Sequence, residues 1–570
     1  MLLCAKLPNM NKRDIAAVLE EIAFLMELKG ENPFKVKAYV TGARVIESLP
    51  EEPAVLVQKG ILRNVKGIGE GLAVVVTELV ATGRSSSHEE LKASFPAGVM
   101  ELAAVPGLGP KKIKAIYENL GVGSVGELEY ACIENRLVGL PGFGQKTQEK
   151  ILAGIRQFKR HQGFHLFANV IEEANSLLDA IRGARGVIQA DHAGEIRRLA
   201  EVVQGVALVV AGPQPQAVME ALRSIPDVMQ VEHQQAARTI TARSPQGLPV
   251  TVKLADIADY GWELLTATGC AEHVEVLTRK IKEQGGTPVG GTEAAVYAAA
   301  GLPYIPPELR EGHGEIESGE SGHLPVLIEA GQIRGIFHNH TVWSDGAATL
   351  EQMVGAARSL GYRYIGISDH SQSAFYANGL KEDRIRAQHA EIDIVQKKFP
   401  DIRIFKGIEA DILADGAMDY PDEILATFDF VIASVHSRFN LSEEDQTNRI
   451  CRALANPYVT MLGHATGRLL LSRDAYRVDM KKVLDAAAEH GKIVEINANP
   501  HRLDLDWRLC GYAKEKGVTF SINPDAHSTE GLEDVPFGVN VARKGGLTSE
   551  DVVNTMPAQA MASRLQAMRP

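Results

Sequence analysis

From about residue 333 onward, short apolar runs recur along the chain, and a His, Asp or Glu stands at the end of most of them. Residues 333–337 lead into His338 and His340, residues 364–368 into Asp369-His370, and residues 402–408 into Glu409. Residues 430–435 lead into His436, 459–463 into His464, and 519–524 into Asp525-Ala526-His527. A seventh run, 493–496, ends in Asn497 and is followed by Asn499 and His501. Helical spacing separates the runs, as in Leu350, Met353, Val354, Ala357 and Leu360. Strands alternating with helices predict parallel strands with crossover helices. Seven such strands predict a closed barrel near the eight-stranded type, in which chemistry sits at the C-terminal strand ends.

The N-terminal third has a different rhythm. Residues 11–49 read as amphipathic helices. A short repeat follows: Val65-Lys66-Gly67-Ile68-Gly69, Val105-Pro106-Gly107-Leu108-Gly109 and Leu140-Pro141-Gly142-Phe143-Gly144. Each copy precedes a helical stretch, such as 111–119 or 146–158. Paired glycines permit a tight turn with exposed amides, and amides at a helix N-terminus suit phosphate oxygens. Gly67, Gly69, Gly107, Gly109, Gly142 and Gly144, with Lys111, Lys112 and Lys146, therefore form a candidate DNA-backbone grip of helix-hairpin-helix type. A single copy would read as an ordinary glycine cap between helices; three copies favour DNA. The middle of the chain mixes elements, with helices expected at 164–178 and 216–225 and a strand at 206–210.

Composition narrows the setting. The 570 residues are 45% hydrophobic, enough for several domains. The five cysteines are scattered without a CxxC pair, which predicts a reducing, cytoplasmic compartment and argues against thiolate zinc sites. No run approaches a membrane span, and MLLCAKL is too short for a signal peptide. The net charge of −12 is unevenly spread. Residues 1–160 hold 21 Lys and Arg against 18 Asp and Glu, and the remainder holds 39 against 54. The N-terminal part is thus the expected polyanion-binding part.

The chemistry is carried by His338-Asn339-His340. In a strand, residues i and i+2 face the same side, so both imidazoles can aim at one cation. HNHTVWSDG, ISDHS, GIEADIL, SVHSR, LGHATG and NPDAH together resemble the motifs of the PHP (polymerase and histidinol phosphatase) superfamily over about 240 residues. The resemblance implies a distorted (βα)7 barrel holding up to three divalent cations. The implied ligands are His338, His340, Asp345, His370, Glu409, His436, His464, Asp525 and His527, with Glu409 bridging two ions. Catalysis would fall to His338, His340, Glu409, His436, Asp525 and His527, with His436 or His527 alternatively serving as proton donor. A thiolate-free set suits Mn²⁺ or Zn²⁺, with Fe²⁺ and Mg²⁺ as further candidates. Where the family usually has Asp before the first His, this chain has Phe337.

A second resemblance covers the rest. ELKGENPFKVKAY and GARVIESL are similar to the N-terminal eight-kilodalton domain of family X DNA polymerases. ATGCAEHVEVLTRKIKEQG and EAAVYAAAGLPYIPPELREGHGEIE resemble the later segments of bacterial members that carry a C-terminal PHP domain. The resemblance implies a multidomain α/β chain. Its parts are a helical domain at 1–85 with the first repeat, a second helix-hairpin-helix domain at 86–160, and an α+β palm and thumb at 161–318. A linker at 319–332 leads to the barrel at 333–570. Two family chemistries lose their residues here. The Schiff-base lysine position is Val75, with Gly71 replacing a neighbouring lysine, so no lyase activity is expected. The paired polymerase aspartates are Gly205 and Ala207, and the third is Thr251. Glu195 occupies a nucleotide-loop serine position, and Thr266-Ala267 replaces an aromatic pair. Arg198 is retained as a candidate nucleotide contact.

The function expected is metal-dependent hydrolysis of DNA phosphodiesters in repair, as a 3′–5′ exonuclease, with incision at abasic sites as an associated activity. Its partner would be gapped, nicked or 3′-ended DNA, bound irrespective of sequence, with no membrane and no obligatory protein partner. The alternatives are an active gap-filling polymerase with associated nuclease, and a small-molecule phosphatase on a DNA-clamp scaffold.

Overall fold

The computed structural model describes residues 10–570 apart from positions 50, 97, 134 and 213. The chain divides between Gln162 and Gly163 into two compact units.

The first unit is helical among its described residues. Its opening helix, Lys12–Lys29, starts at Asn11 with a reciprocal capping box to Asp14 and stops at Gly30, whose φ is +80°. Ile15, Leu19, Ile22 and Met26 repeat at helical spacing and are buried in the unit's first core. Each glycine repeat has one design. The apolar residue between the glycines (Ile68, Leu108 or Phe143) is buried. The first glycine is left-handed, with φ of +100° at Gly67, +82° at Gly107 and +83° at Gly142. The second glycine caps the helix that follows, Glu70–Thr82, Pro110–Leu120 or Gln145–His161.

The second unit contains a short two-stranded pair and two larger sheets. The smaller has five strands in the order Gln189–Ala193, Val206–Ala211, Pro249–Ala255, Thr239–Arg243, Met229–Gln234. Only the central pair, Val206–Ala211 with Pro249–Ala255, is parallel. The helix expected at 164–178 spans Phe167–Arg182, because His165–Leu166 is taken into a short antiparallel pair with Val202–Val203.

The larger sheet has seven parallel strands in chain order: Gly335–Ile336, Tyr364–Ile367, Arg403–Asp411, Phe430–Ser434, Met461–Leu462, Ile493–Asn497 and Phe520–Asn523. The ring closes through a single parallel bridge between Asn339 and Ala526. There the His340 amide donates to the Ala526 carbonyl at 2.8 Å and the Ala526 amide to that of His338 at 3.3 Å. The sheet is therefore a nearly closed seven-stranded barrel. The first strand is shorter than the apolar run predicted, and the third runs past Glu409 to Asp411.

Inside the barrel, Phe337, Tyr364, Phe405 and Phe430 pack with Met461, Ile493 and Met561. The ring of Phe430 fits because Gly366 and Gly407 line it; a Cβ at Gly407 would lie 2.1 Å from that ring. Phe337, at the position where a family aspartate was expected, belongs wholly to this apolar plug. The segment before the first strand is tied to the barrel wall. Ile328 is fully buried, its amide donates to the Leu547 carbonyl at 3.0 Å, and its carbonyl accepts from Arg543. The barrel also packs on the five-stranded part. Phe167 meets Phe537 edge-on at 6.3 Å, and Arg468 ion-pairs with Glu201.

Candidate metal centre

Parallel strands end on one side of a barrel, so side chains placed just after each strand converge. The nine side chains singled out in the sequence do converge. Their donor atoms form four overlapping groups: His340, Asp345, His370 and His527; His338, His464 and Asp525; His338, His340 and Glu409; and His370, Glu409 and His436. Within each group the atoms lie within 4.8 Å of one another.

Glu409 is the hub. Its Oε1 lies 2.9 Å from His464 Nε2, 3.1 Å from His436 Nε2 and 3.3 Å from His338 Nε2. Its Oε2 lies 2.9 Å from His370 Nδ1 and 3.6 Å from His340 Nε2. Asp525 Oδ1 stands 3.3 Å from His340 Nε2 and 3.5 Å from His338 Nε2. At the rim, Asp345 lies between His370 and His527, at 3.6 and 3.5 Å. Two of these residues hold backbone conformations that side chains rarely adopt, with φ of +22° at His464 and +54° at Asp525. Such strain persists only where the surroundings over-determine it, and it gathers at functional sites.

A second layer fixes the first. His338 donates from Nδ1 to Glu495 at 2.7 Å, leaving Nε2 facing the cluster. His436 donates from Nδ1 to Asp411 at 2.7 Å, with the same result. Asp369 accepts from the amides and hydroxyls of Thr341 and Ser344 and so holds the turn that carries Asp345. Asn497 donates to Asp525 at 3.0 Å, and Arg502 Nε lies 3.3 Å from the same carboxylate. The sequence alone assigns none of these roles. Glu495 lies inside an apolar run, where period-2 alternation was the one available signal.

The chemistry of the donors fits divalent cations. His338 Nε2, both nitrogens of His340, His370 Nδ1, His464 Nδ1 and Glu409 Oε2 are buried without a hydrogen-bond partner. Each such atom costs roughly 1–3 kcal/mol unless a partner accepts its hydrogen or takes its lone pair. In the bare polypeptide the charges divide unevenly. Burial lowers His340 to about 3, reinforced by His527 and His370. Burial opposes protonation of His436 as well, yet Glu409 and Asp411 carry it up to about 10. Burial would push the Glu409 carboxyl up, but His436, His338 and His370 hold it well below its usual range. Oxygen and imidazole donors without thiolate suit Mn²⁺, Zn²⁺ or Fe²⁺.

In the helical unit, a Cβ built on Gly69, Gly107, Gly109, Gly142 or Gly144 would meet nothing within 4 Å, so the backbone there is open. Gly67 is closer to its surroundings, 3.0 Å from Val45. Lys111 and Lys146 are exposed, and Lys112 donates to the Gly107 carbonyl at 3.0 Å.

The five-stranded sheet does align the three polymerase positions: Ala207 pairs directly with Thr251, and Gly205 immediately precedes that strand. None carries a carboxylate. Arg198, the residue kept as a nucleotide contact, is committed elsewhere. Its Nε donates to Glu311 at 3.0 Å and its NH1 to the Thr268 carbonyl, with Lys544 bonded to both the Arg198 carbonyl and Glu311. Its charge is neutralised inside the fold, which counts against the nucleotide role.

A nearly closed seven-stranded barrel with imidazoles and carboxylates gathered at its strand ends, on a chain that also bears helix-hairpin-helix repeats, defines a metal-dependent phosphoesterase of PHP type with DNA-binding modules. Family models agree: a helix-hairpin-helix domain matches residues 10–85, a SAM-like helix-hairpin-helix tandem matches 99–157, and a PHP domain matches 337–499. The DNA polymerase/3′–5′ exonuclease PolX of Bacillus subtilis (strain 168) is 36% identical over 561 residues, covering 96% of this chain and 97% of that protein. The chain belongs to the PolX family. The barrel region is also similar to probable phosphatases of Caldanaerobacter subterraneus and Thermoanaerobacter sp. (strain X514), each 30% identical over 38% of this chain and 85% or 89% of the relative. Asp525 and His527 fall beyond the residues matched by the PHP model, on the end of the strand that completes the sheet. No helix among the described residues is long and apolar enough to cross a membrane.

Proposed function

We propose that the barrel hydrolyses the terminal phosphodiester at DNA 3′ ends, in the manner of a 3′–5′ exonuclease, while the helix-hairpin-helix unit holds the backbone without reading sequence. The observation that carries this reading is the convergence of nine donor side chains, Glu409 among them, on a chain whose other unit presents three glycine turns, the second and third of them fully open.

His338, His340, Asp345, His370, Glu409, His436, His464, Asp525 and His527 would hold up to three cations, with Mn²⁺ or Zn²⁺ favoured by the donor set. Divalent cations bound there would supply Lewis acidity toward the phosphoester and a water acidic enough to attack it near neutral pH. The polypeptide contributes the rest. Glu409 and Asp525 set a negative, water-poor floor of fixed charge, and the strand ends hold it without reorganisation. Arg502, partly exposed beside Asp525, can turn its free guanidinium edge toward a phosphate oxygen. His527 has 41% of its side chain exposed, more than the other imidazoles of the cluster, and faces the opening. Where it is not itself holding a cation, it is placed to donate a proton to the departing 3′-oxygen, as the P–O3′ bond breaks and water oxygen joins phosphorus. Incision at abasic sites would use the same groups. With three carboxylates absent from the five-stranded sheet, nucleotidyl transfer is not part of this reading.

The test is release of nucleotides from a 3′-labelled strand by the full chain in Mn²⁺. His338→Ala with His340→Ala should abolish release and leave DNA affinity within twofold. Because both residues are buried, Asp345→Asn at the rim is the second variant and should reduce the rate without disturbing the fold. Undiminished release in both would refute the site.

A further inference from the structure

Between the second strand and the helix Glu382–Lys398, a loop at the mouth of the barrel has its polarity inverted. Ala374 and Ala377 are buried at 0% and 2%, while the two residues between them, Phe375 and Tyr376, are 87% and 63% exposed. Large aromatics side by side in water are unusual on a folded surface and mark places where something binds.

The loop is not loose. The amide of Gln372 donates to Tyr420 and that of Ser373 to Asp419. Arg384 clamps the Asn378 carbonyl at 2.7 Å. Gly379 passes so close to the Ser371 carbonyl that a Cβ there would sit 1.8 Å from it. The aromatic rings are therefore displayed from a fixed platform, 6.2 Å apart and nearly perpendicular.

That platform adjoins the metal groups. The Tyr376 ring centre lies 6.3 Å from that of His370. A nucleotide bound through its phosphate beside His370 would thus have an aromatic surface next to it.

We infer that Phe375 and Tyr376 form a stacking step for the base of the nucleotide being removed, so that this site distinguishes a base-bearing 3′ end from a bare sugar-phosphate. The inference rests on the reading of the barrel as a 3′-end phosphodiesterase. Base–aromatic stacking tolerates any base, because every base presents a π-face, which suits an enzyme whose backbone grip is also indifferent to sequence. It also separates this barrel's substrate from a small phosphate ester, which needs no such step.

The experiment compares two single-stranded oligonucleotides of equal length in Mn²⁺, one ending in an ordinary nucleotide and one in a tetrahydrofuran residue that lacks a base. The full-length chain should prefer the first in kcat/KM by on the order of tenfold. In Phe375→Ala with Tyr376→Ala that preference should collapse toward one, chiefly through KM on the base-bearing strand. Leucine at both positions should fail to restore it, since bulk without a π-face does not stack. An unchanged preference in the alanine variant overturns the inference while leaving the nuclease reading intact, as does an equal loss on both substrates. If the parent chain releases nothing from either strand, the nuclease reading fails, and the inference with it.

Discussion

Glu495 accepts the Nδ1 hydrogen of His338 across 2.7 Å, and both side chains are fully buried. The same carboxylate accepts the His464 amide at 2.7 Å and Asn523 Nδ2 at 3.0 Å. One side chain thereby orients the imidazole at the end of the first strand and the backbone that delivers His464 from the fifth.

Because Glu495 decides which nitrogen of His338 is left for a cation, removing its charge should act on metal binding before it acts on folding. Partners of this kind are worth 10- to 100-fold in affinity. Glu495→Gln should weaken Mn²⁺ binding by roughly tenfold or more, read as free Mn²⁺ by electron paramagnetic resonance, with circular dichroism unchanged. Unaltered affinity would show that His338 is oriented by its packing alone.

Glu293 supports a prediction about pH. It lies between Arg197, at 2.6 Å, and Arg310, which is fully buried. Burial would raise its carboxyl, but hydrogen bonds and charge from the two arginines outweigh this and hold it below the ordinary value of 4.5. A depressed carboxyl contributes stability that is fully present above the unfolded value and disappears as pH falls through the folded one. Glu293→Gln should thus lower the stability of the Gly163–Pro570 unit near neutrality by about 3 kcal/mol, since a buried arginine is left unpaired. The melting-temperature gap between variant and parent should narrow as the pH is lowered through 4.5 and beyond. A gap independent of pH would mean that shape, not charge, is what Glu293 provides.

Lys111 and Lys146 are exposed beside the open turns at Gly109 and Gly144. If each meets a phosphate, Lys111→Ala with Lys146→Ala should reduce the slope of log affinity against log salt by about 2. The loss should be alike on unrelated sequences, as measured by fluorescence anisotropy. Selective weakening on one sequence would point to base contacts instead.

The barrel and its donor set were legible because parallel topology and strand period are written locally: an apolar run followed by His, Asp or Glu tells where a strand ends and what it carries. His338, Glu409, His464 and Asp525 are far apart in sequence, yet each stands at such an end. What could not be read locally was partnership. Arg198 looks the same whether it awaits a triphosphate or is held by Glu311 and the Thr268 carbonyl, and only the fold separates the two. Glu495 was hidden for a related reason. Inside a strand a lone carboxylate resembles an edge residue until the histidine opposite it is known. The inward turn of Phe337 follows from Gly366 and Gly407, which open space for aromatic rings and carry no signal of their own in the sequence.

The five-stranded sheet yields the last prediction. Ala207 and Thr251 sit opposite each other on adjacent strands, where a pair of cations would need carboxylates. At the neighbouring glycines there is a steric bar as well. A Cβ on Gly194 would touch the Ala207 methyl at 3.3 Å, and one on Gly205 would meet the Pro249 carbonyl at 2.4 Å. An aspartate at 205 therefore needs the backbone to move, so the loss is not one substitution away from reversal. On gapped DNA with all four deoxynucleotides, the His338→Ala, His340→Ala variant should extend no primer in Mg²⁺ or Mn²⁺, and Ala207→Asp with Thr251→Asp should not rescue it. Extension by the nuclease-deficient chain would mean that other carboxylates, Asp191 among them, gather around an ion when DNA is bound. Asp191 is already engaged by Tyr260, whose hydroxyl donates to it at 2.7 Å, and by Arg182 at 3.2 Å. Both bonds would have to break first, which is why the expected product is none.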